Sequence, residues 1–215
     1  MTNTSLKEQL ILDLFEINAI KFGEFKLKSG IISPFYFDLR LLVSYPYLLE
    51  LIADVFWEKL RTIYFDVIVG VPYTAIPIAT AICMKQNQSM VMVRKERKEH
   101  GTKKMIEGYF HEGQYAIVVD DVITNGESKL LTIEPLEKEE LIVKDIIVLL
   151  DRGQGGPELM TKHGYRCHSI IHVNEIFEAL LRFKKITPAE AKKCLAFVEK
   201  TRKQFLKSPR AKLKS

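Results

Sequence analysis

The chain has 215 residues, 47% hydrophobic and 27% charged, the composition of one globular domain with short appendages, which excludes fibrous and low-complexity classes. Its net charge of +5 is uneven, since residues 182–215 carry 12 Lys/Arg against 2 Glu and the first 181 residues are net acidic. Few aromatics interleave with that basic run, so it reads as a solvated helix face and tail and excludes a stacking platform for nucleic acid.

In chain order, Leu6, Leu10, Leu14 and Ile17 recur at helical spacing and predict a helix over Leu6–Ile20. An alternating stretch follows from Phe25 and breaks at Gly30, and Pro34–Leu39 reads as a short aromatic strand. Tyr47–Leu60 reads as a second helix. Next come strands at Asp66–Val71, Met90–Val93, Tyr115–Val119, Asp145–Leu150 and Cys167–Ile171. Between and after them, helices are expected at Ile76–Met84, Ser128–Lys138, Glu158–His163 and Glu175–Phe183. Continuous Val/Ile strands alternating with helices predict an α/β fold with a mostly parallel sheet covered on both faces. A last helix over Pro188–Leu206 has Thr187 as N-cap, Pro188 at its first position and an Ala191, Leu195, Val198 stripe. Residues 1–206 read as a single domain and 207–215 as a basic disordered tail.

Cys83, Cys167 and Cys194 are scattered without CxxC spacing, which points to a reducing compartment and to neither a disulfide framework nor a zinc site. No apolar run is long enough for a membrane span, and the first residues lack a basic-then-apolar leader, so the expected location is cytoplasmic.

The most informative stretch is Ile117–Ser128, where an apolar strand ends in Asp120 and Asp121, a short loop follows, and a helix begins. In an open parallel sheet, ligands bind beyond the carboxyl ends of the strands. The loop Thr124-Asn125-Gly126-Glu127-Ser128 offers backbone N–H groups and hydroxyls at a helix start, which is an anion site. Gly126 allows close approach to a phosphate. The two acids suit sugar hydroxyls or a hydrated magnesium ion.

This arrangement resembles the type I phosphoribosyltransferases, and further segments narrow the resemblance to the orotate phosphoribosyltransferases. It implies their fold, a mostly parallel sheet flanked by helices with a small N-terminal hood (about residues 1–45) and a C-terminal helix (187–206). In that family the acid pair meets ribose hydroxyls and the loop grips the 5-phosphate, which puts 5-phosphoribosyl 1-diphosphate on Asp120, Asp121, Val122, Ile123 and Thr124 through Ser128. Glu127 departs from the family's small residue, so only its backbone serves an anion. The segment Phe25–Asp38 carries, by resemblance, Lys28 for the diphosphate and Tyr36 and Phe37 beside the orotate ring. Thr124 and Arg152 complete that base site, with Arg152 against the orotate carboxylate. Arg94, Lys95, Lys98 and His100 match the family's closing catalytic loop, which reaches into the neighbouring subunit. Tyr73 matches a diphosphate-loop tyrosine, and Thr74 stands where many relatives have lysine.

The activity implied is magnesium-dependent (Mg2+) transfer of ribose 5-phosphate to orotate in UMP biosynthesis. Lys98, His100, Asp120 and Asp121 would be the catalytic residues, in a homodimer with shared sites. The metal would have no direct protein ligands and would be held mainly by the diphosphate and water. Neither nucleic acid nor membrane is an expected partner. The other histidines read as structural. Two alternatives stay open: a phosphoribosyltransferase for a purine or uracil, and a non-catalytic regulator that senses phosphoribosyl diphosphate.

Overall fold

A computed structural model describes residues 4–27, 30–94 and 105–207. Helix α1 (Leu6–Glu16) starts at Ser5, whose Oγ accepts from the Glu8 N–H at 3.2 Å while the Glu8 carboxylate accepts from the Ser5 N–H at 3.0 Å. This reciprocal cap satisfies two backbone donors that a helix start leaves open. The helix stops short of the expected Ile20, because Asn18 adopts a left-handed φ of 57° and turns the chain into β1 (Ile20–Lys26). Strand β1 pairs antiparallel with β2 (Ile32–Phe37), and a bulge lies between Phe22 and Phe25. A 3-10 helix at Leu39–Ser44, not legible in the periodicity, leads into α2 (Pro46–Leu60).

The second sheet holds β3 (Val67–Gly70), β4 (Ser89–Val93), β5 (Ile106–Glu107), β6 (Tyr115–Ile123), β7 (Ile142–Asp151) and β8 (Arg166–His172). Its order is β5-β4-β3-β6-β7-β8, parallel throughout except that β5 runs antiparallel to β4. The helices are α3 (Ala75–Gln86), α4 (Glu127–Lys138), α5 (Gly156–Lys162), α6 (Val173–Arg182) and α7 (Pro188–Lys207). The α/β reading with helices flanking a mostly parallel sheet therefore holds.

Each central strand feeds two cores. Ile68, Ile117, Val119 and Ile147 face a core that includes Leu10, Ile52, Ile78 and Phe177. Val67, Val69, Val118, Ile146 and Val148 face the other, with Ile133 and Leu136 of α4 and Met160 of α5. Full burial of each such side chain contributes roughly 1.5–3 kcal/mol, which is why both parities of these strands are apolar.

The strand order has one reversal. From β3 the chain moves outward to β4, and from β6 it moves the other way to β7 and β8. The crevice therefore opens between the carboxyl ends of β3 and β6, where the connections diverge. Val71 donates its N–H to the Val119 carbonyl at 2.9 Å, so the loop after β3 lies beside Asp120.

Thr187 caps α7 as expected: its Oγ1 accepts from the Glu190 N–H at 3.2 Å, and Glu190 Oε2 accepts from the Thr187 N–H at 2.7 Å. The stripe is rotated from the expected one. Ala191, Cys194, Val198 and Thr201 are buried, whereas Leu195 is 38% exposed. Phe197 of α7 meets Phe35 edge-on at 5.7 Å, which joins the helix to the β1–β2 hairpin. The basic end also complements the acidic body: Arg182 pairs with Glu8, Lys185 with Glu16 and Arg202 with Glu158. Such exposed pairs are worth little individually, but they give the basic run a structural counterpart. Of the expected tail, Lys207 closes α7 and residues 208–215 lie outside the described residues. Two histidines are built into the fold: His172 Nδ1 accepts from the Asn174 N–H at 3.2 Å, and His168 pairs with Asp145 at 2.8 Å. Among the described residues, no helix is long and apolar enough to cross a membrane.

Candidate active site

Strand β6 runs past the expected Val119 to Ile123, so both acids lie within it. Asp120 is 4% exposed. Its Oδ1 accepts from the Asp121 N–H at 2.8 Å, and its Oδ2 lies 2.5 Å from Lys129 Nζ. Lys129, 3% exposed on the first turn of α4, also donates to the Val122 carbonyl and to Ser128 Oγ.

Asp121 is half-buried and accepts from the Val122 N–H at 2.8 Å. Burial first, and then the adjacent Asp120 charge, push its carboxyl up to about 8. Between the ordinary carboxylate range and that value, the folded chain holds a proton that the unfolded chain has released. Stability should therefore fall as pH rises through the window. Asp121→Asn removes this linkage, so its melting temperature relative to wild type should climb from about pH 5 to about pH 9. A pH-independent difference between the two melting curves would show that Asp121 ionises as an ordinary carboxyl.

The phosphate-type loop is shaped by close packing. Gly126 has φ +81°, and a Cβ there would sit 2.6 Å from Met160 Cε. Gly156, at the start of α5, would place a Cβ 2.5 Å from Ile123 Cγ1 and 2.8 Å from the Thr124 carbonyl. Gly126 is the N-cap of α4 and provides no side-chain cap, so an anion can serve the first-turn N–H groups. The Asn125 side chain reaches only the Glu127 N–H, at 3.4 Å. Glu127 is exposed. Val122 packs on one core and Ile123 on the other, so only their backbones face the loop.

Arg152 follows β7, and its N–H donates to the Ile123 carbonyl at 3.1 Å, which ties the two site loops together. Its guanidinium carbon lies 5.5 Å from the Phe35 ring centroid and 5.8 Å from that of Phe37. Among the described residues, Nε and Nη2 are buried without a hydrogen-bond partner. Desolvation lowers the guanidinium pKa, while Tyr36 acts in the opposite sense. Two buried donors without partners, beside two aromatic rings, are costly unless an anion arrives. A planar carboxylate would satisfy both donors.

Across the switch point, Tyr73 is 67% exposed, and Thr74 starts α3 without a side-chain cap. A cavity of about 320 Å³ there is lined by Pro72, Tyr73, Ile76, Met92, Val93, Arg94 and Glu107. Arg94 Nη1 lies 2.5 Å from Glu107 Oε1. Lys28, Lys95, Lys98 and His100 lie outside the described residues. Among the described residues, no cluster of three or more His, Cys, Asp or Glu is placed to hold a metal ion.

Two residues near the site escape a sequence reading. Arg40 donates to Asp38 Oδ1 at 2.7 Å and to the Tyr36 hydroxyl at 3.4 Å, and Asp121 helps raise its pKa, after larger effects from Asp38 and Tyr36. Lys129 sits in a stretch that reads as an ordinary helix start. Its only sequence signal is a lysine at a position that one helical turn places over the strand end.

Switch point, acid-ended strand and glycine-shaped anion loop together define a class, the phosphoribosyl transferases, whose domain model matches residues 42–183. The chain is 37% identical over 188 residues to the orotate phosphoribosyltransferase of Chlamydia caviae, covering 86% of this chain and 91% of that one. It is 38% identical over 197 residues to the uridine 5'-monophosphate synthase of Bos taurus, covering 91% of this chain and 41% of that one. The solved Leishmania donovani UMP synthase superposes with a TM-score of 0.84 at 34% identity, covering 92% of this chain and 43% of that one. The chain thus spans less than half the length of those two synthases. It belongs to the orotate phosphoribosyltransferase family.

Proposed function

We propose that the chain transfers ribose 5-phosphate from 5-phosphoribosyl 1-diphosphate to orotate, giving orotidine 5'-phosphate and diphosphate. The observation that carries the choice of base is Arg152, half-buried beside Phe35 and Phe37, with two buried donor nitrogens that lack a partner among the described residues. Orotate is a flat ring bearing one carboxylate, and a guanidinium pairs with a carboxylate through two parallel bonds. Uracil and purines lack that anion and would leave the donors unsatisfied.

In the reaction, the bond from the anomeric carbon to the diphosphate oxygen breaks and a bond to the orotate ring nitrogen forms. The anomeric carbon becomes cationic, so carboxylate near the ribose and positive charge near the departing diphosphate both favour the transition state. The acid-ended strand β6 supplies the first. Arg94, with Lys28, Lys95, Lys98 and His100, supplies the second. The first turn of α4 and the hydroxyls of Thr124 and Ser128 hold the 5-phosphate. Residues 1–45 serve as a hood over the base pocket. Carboxylate and diphosphate oxygens are the ligands that magnesium prefers, and the ion usually keeps several waters. When bound, it neutralises charge on the diphosphate. The decisive experiment follows orotate absorbance after addition of 5-phosphoribosyl 1-diphosphate and magnesium. A fall in absorbance is expected with orotate, together with no product from uracil, adenine or guanine. Turnover of uracil at a comparable rate would overturn the assignment of the base.

The site is also proposed to be shared across a homodimer, with the Lys98 segment serving the partner's acid pair. Mixing Lys98→Ala with an Asp120→Asn, Asp121→Asn variant should then restore roughly a quarter of wild-type activity, since random exchange leaves one intact site in half of the dimers. The check is an activity assay after subunit exchange has been confirmed by mass spectrometry. Absence of recovery would mean that the segment acts within its own chain.

A further inference from the structure

The two acids of the ribose strand have different surroundings. Alternation along β6 sends Ala116 and Val118 to the α4 side of the sheet and Ile117 and Val119 to the opposite side. At the strand end Asp120 meets Lys129 of α4, and Asp121 lies within electrostatic reach of Arg40, next to the β1–β2 hairpin. Asp120 already has both oxygens engaged, by the Asp121 N–H and by Lys129. Lys129 in turn holds the Val122 carbonyl and Ser128 Oγ, so one buried ammonium ties the strand end to the helix start across the anion loop. Asp121 accepts the Val122 N–H, adjoins the Asp120 carboxyl, is half-buried, and shares an electrostatic neighbourhood with Arg40 at the hood.

We propose that Asp121 alone of the pair receives the ribose hydroxyls, and that Lys129 is a positioning residue that claims Asp120 and holds the loop in its anion-binding shape. Breaking a buried ion pair from one side leaves an uncompensated charge, so the Asp120–Lys129 contact persists when substrate arrives. The lysine offsets the Asp120 charge that pushes the Asp121 carboxyl up, and so eases Asp121 towards its ionised form.

The proposal rests on the phosphoribosyl diphosphate reading of the site, and its test needs no orotate. Binding of 5-phosphoribosyl 1-diphosphate with magnesium is measured by calorimetry for wild type and three variants. Asp121→Asn should weaken binding at least about tenfold and lower kcat/KM at least about 100-fold. Lys129→Met should weaken binding and lower the melting temperature, since it strands Asp120. Adding Asp120→Asn to Lys129→Met removes both charges, and should restore melting temperature and bring kcat/KM to within about tenfold of wild type. A folded double variant as impaired as Asp121→Asn would overturn the proposal, because the Asp120 carboxylate would then be a substrate contact. The wild-type chain gives a second readout that no folding defect can obscure. The 15N signal of the Lys129 ammonium, assigned by its loss in Lys129→Arg, should persist unshifted when the diphosphate substrate binds. Its disappearance or a large shift would show that Asp120 leaves the lysine for the ribose. Wild type that binds the diphosphate substrate without consuming orotate would overturn the transferase reading alone.

Discussion

Lys98→Ala should lower kcat by about 10²–10³ while shifting the KM of either substrate less than about threefold. A group that meets the diphosphate mainly as its charge develops stabilises the transition state more than the bound substrate, and so acts on kcat. The described residues on either side of the segment support this role. Residue 94 closes the run after β4, at the carboxyl edge where the ligand crevice opens. The Arg94 N–H donates to the Met105 carbonyl at 2.8 Å, and its side chain pairs with Glu107 at 2.5 Å. Arg94 and Met105 therefore meet at one anchored point on that edge of the sheet, and the sequence between them carries the cations. Steady-state kinetics with each substrate varied in turn provide the check. A kcat within about twofold of wild type, under half a kcal/mol on the barrier, would remove Lys98 from the catalytic set and turn attention to Lys95 and Lys103.

Arg152→Ala should impair orotate use by about 10–150-fold in kcat/KM, the range of a charge-assisted bidentate pair worth roughly 1.5–3 kcal/mol. Binding of the diphosphate substrate should change little, because the Arg152 side chain lies against Phe35 and Phe37. Lysine should be a poor replacement, since an ammonium lacks the planar fork. The structure adds an expectation about stability. Nε and Nη2 are buried and have no partner among the described residues, so the free protein carries their desolvation cost. Arg152→Met, which keeps apolar bulk against Phe35 and Phe37, should melt no lower than wild type and melt higher if that cost is large. Calorimetry of each substrate, alongside thermal melting, separates the outcomes. Equal weakening of both ligands would point to collapse of the loop. Unchanged orotate binding would remove the main reason for choosing orotate over other bases.

The elements that read clearly from the sequence are those whose neighbours constrain both faces. Val67–Val69, Ile117–Val119 and Ile146–Leu149 are continuous apolar runs because each successive residue enters one of two cores. Helix α7 was legible at its start, where Thr187, Pro188 and Glu190 form a cap within four residues. The acid pair, Gly126 and Arg152 were also legible, because a strand end, a tight turn and a helix start are local events with local residue requirements. Their chemistry agreed with a family pattern that the comparisons support.

Other features depend on partners distant in sequence. Strand β5 is two residues long and exists through its pairing with Met92 and Val93, and the 3-10 helix lacks a period long enough to detect. The buried stripe of α7 is set by where Phe35 and the hairpin meet it, so Cys194 and Thr201 go inside and Leu195 stays at the rim. The sequence by itself determined the class of fold and the turn and helix start that follow the acid-ended strand, because period, cap and turn chemistry act over a few neighbouring residues. Only the tertiary structure decided which acid is ion-paired, since charge pairing depends on distance and burial. That pairing arises when α4 folds back over β6 and brings Lys129 to Asp120.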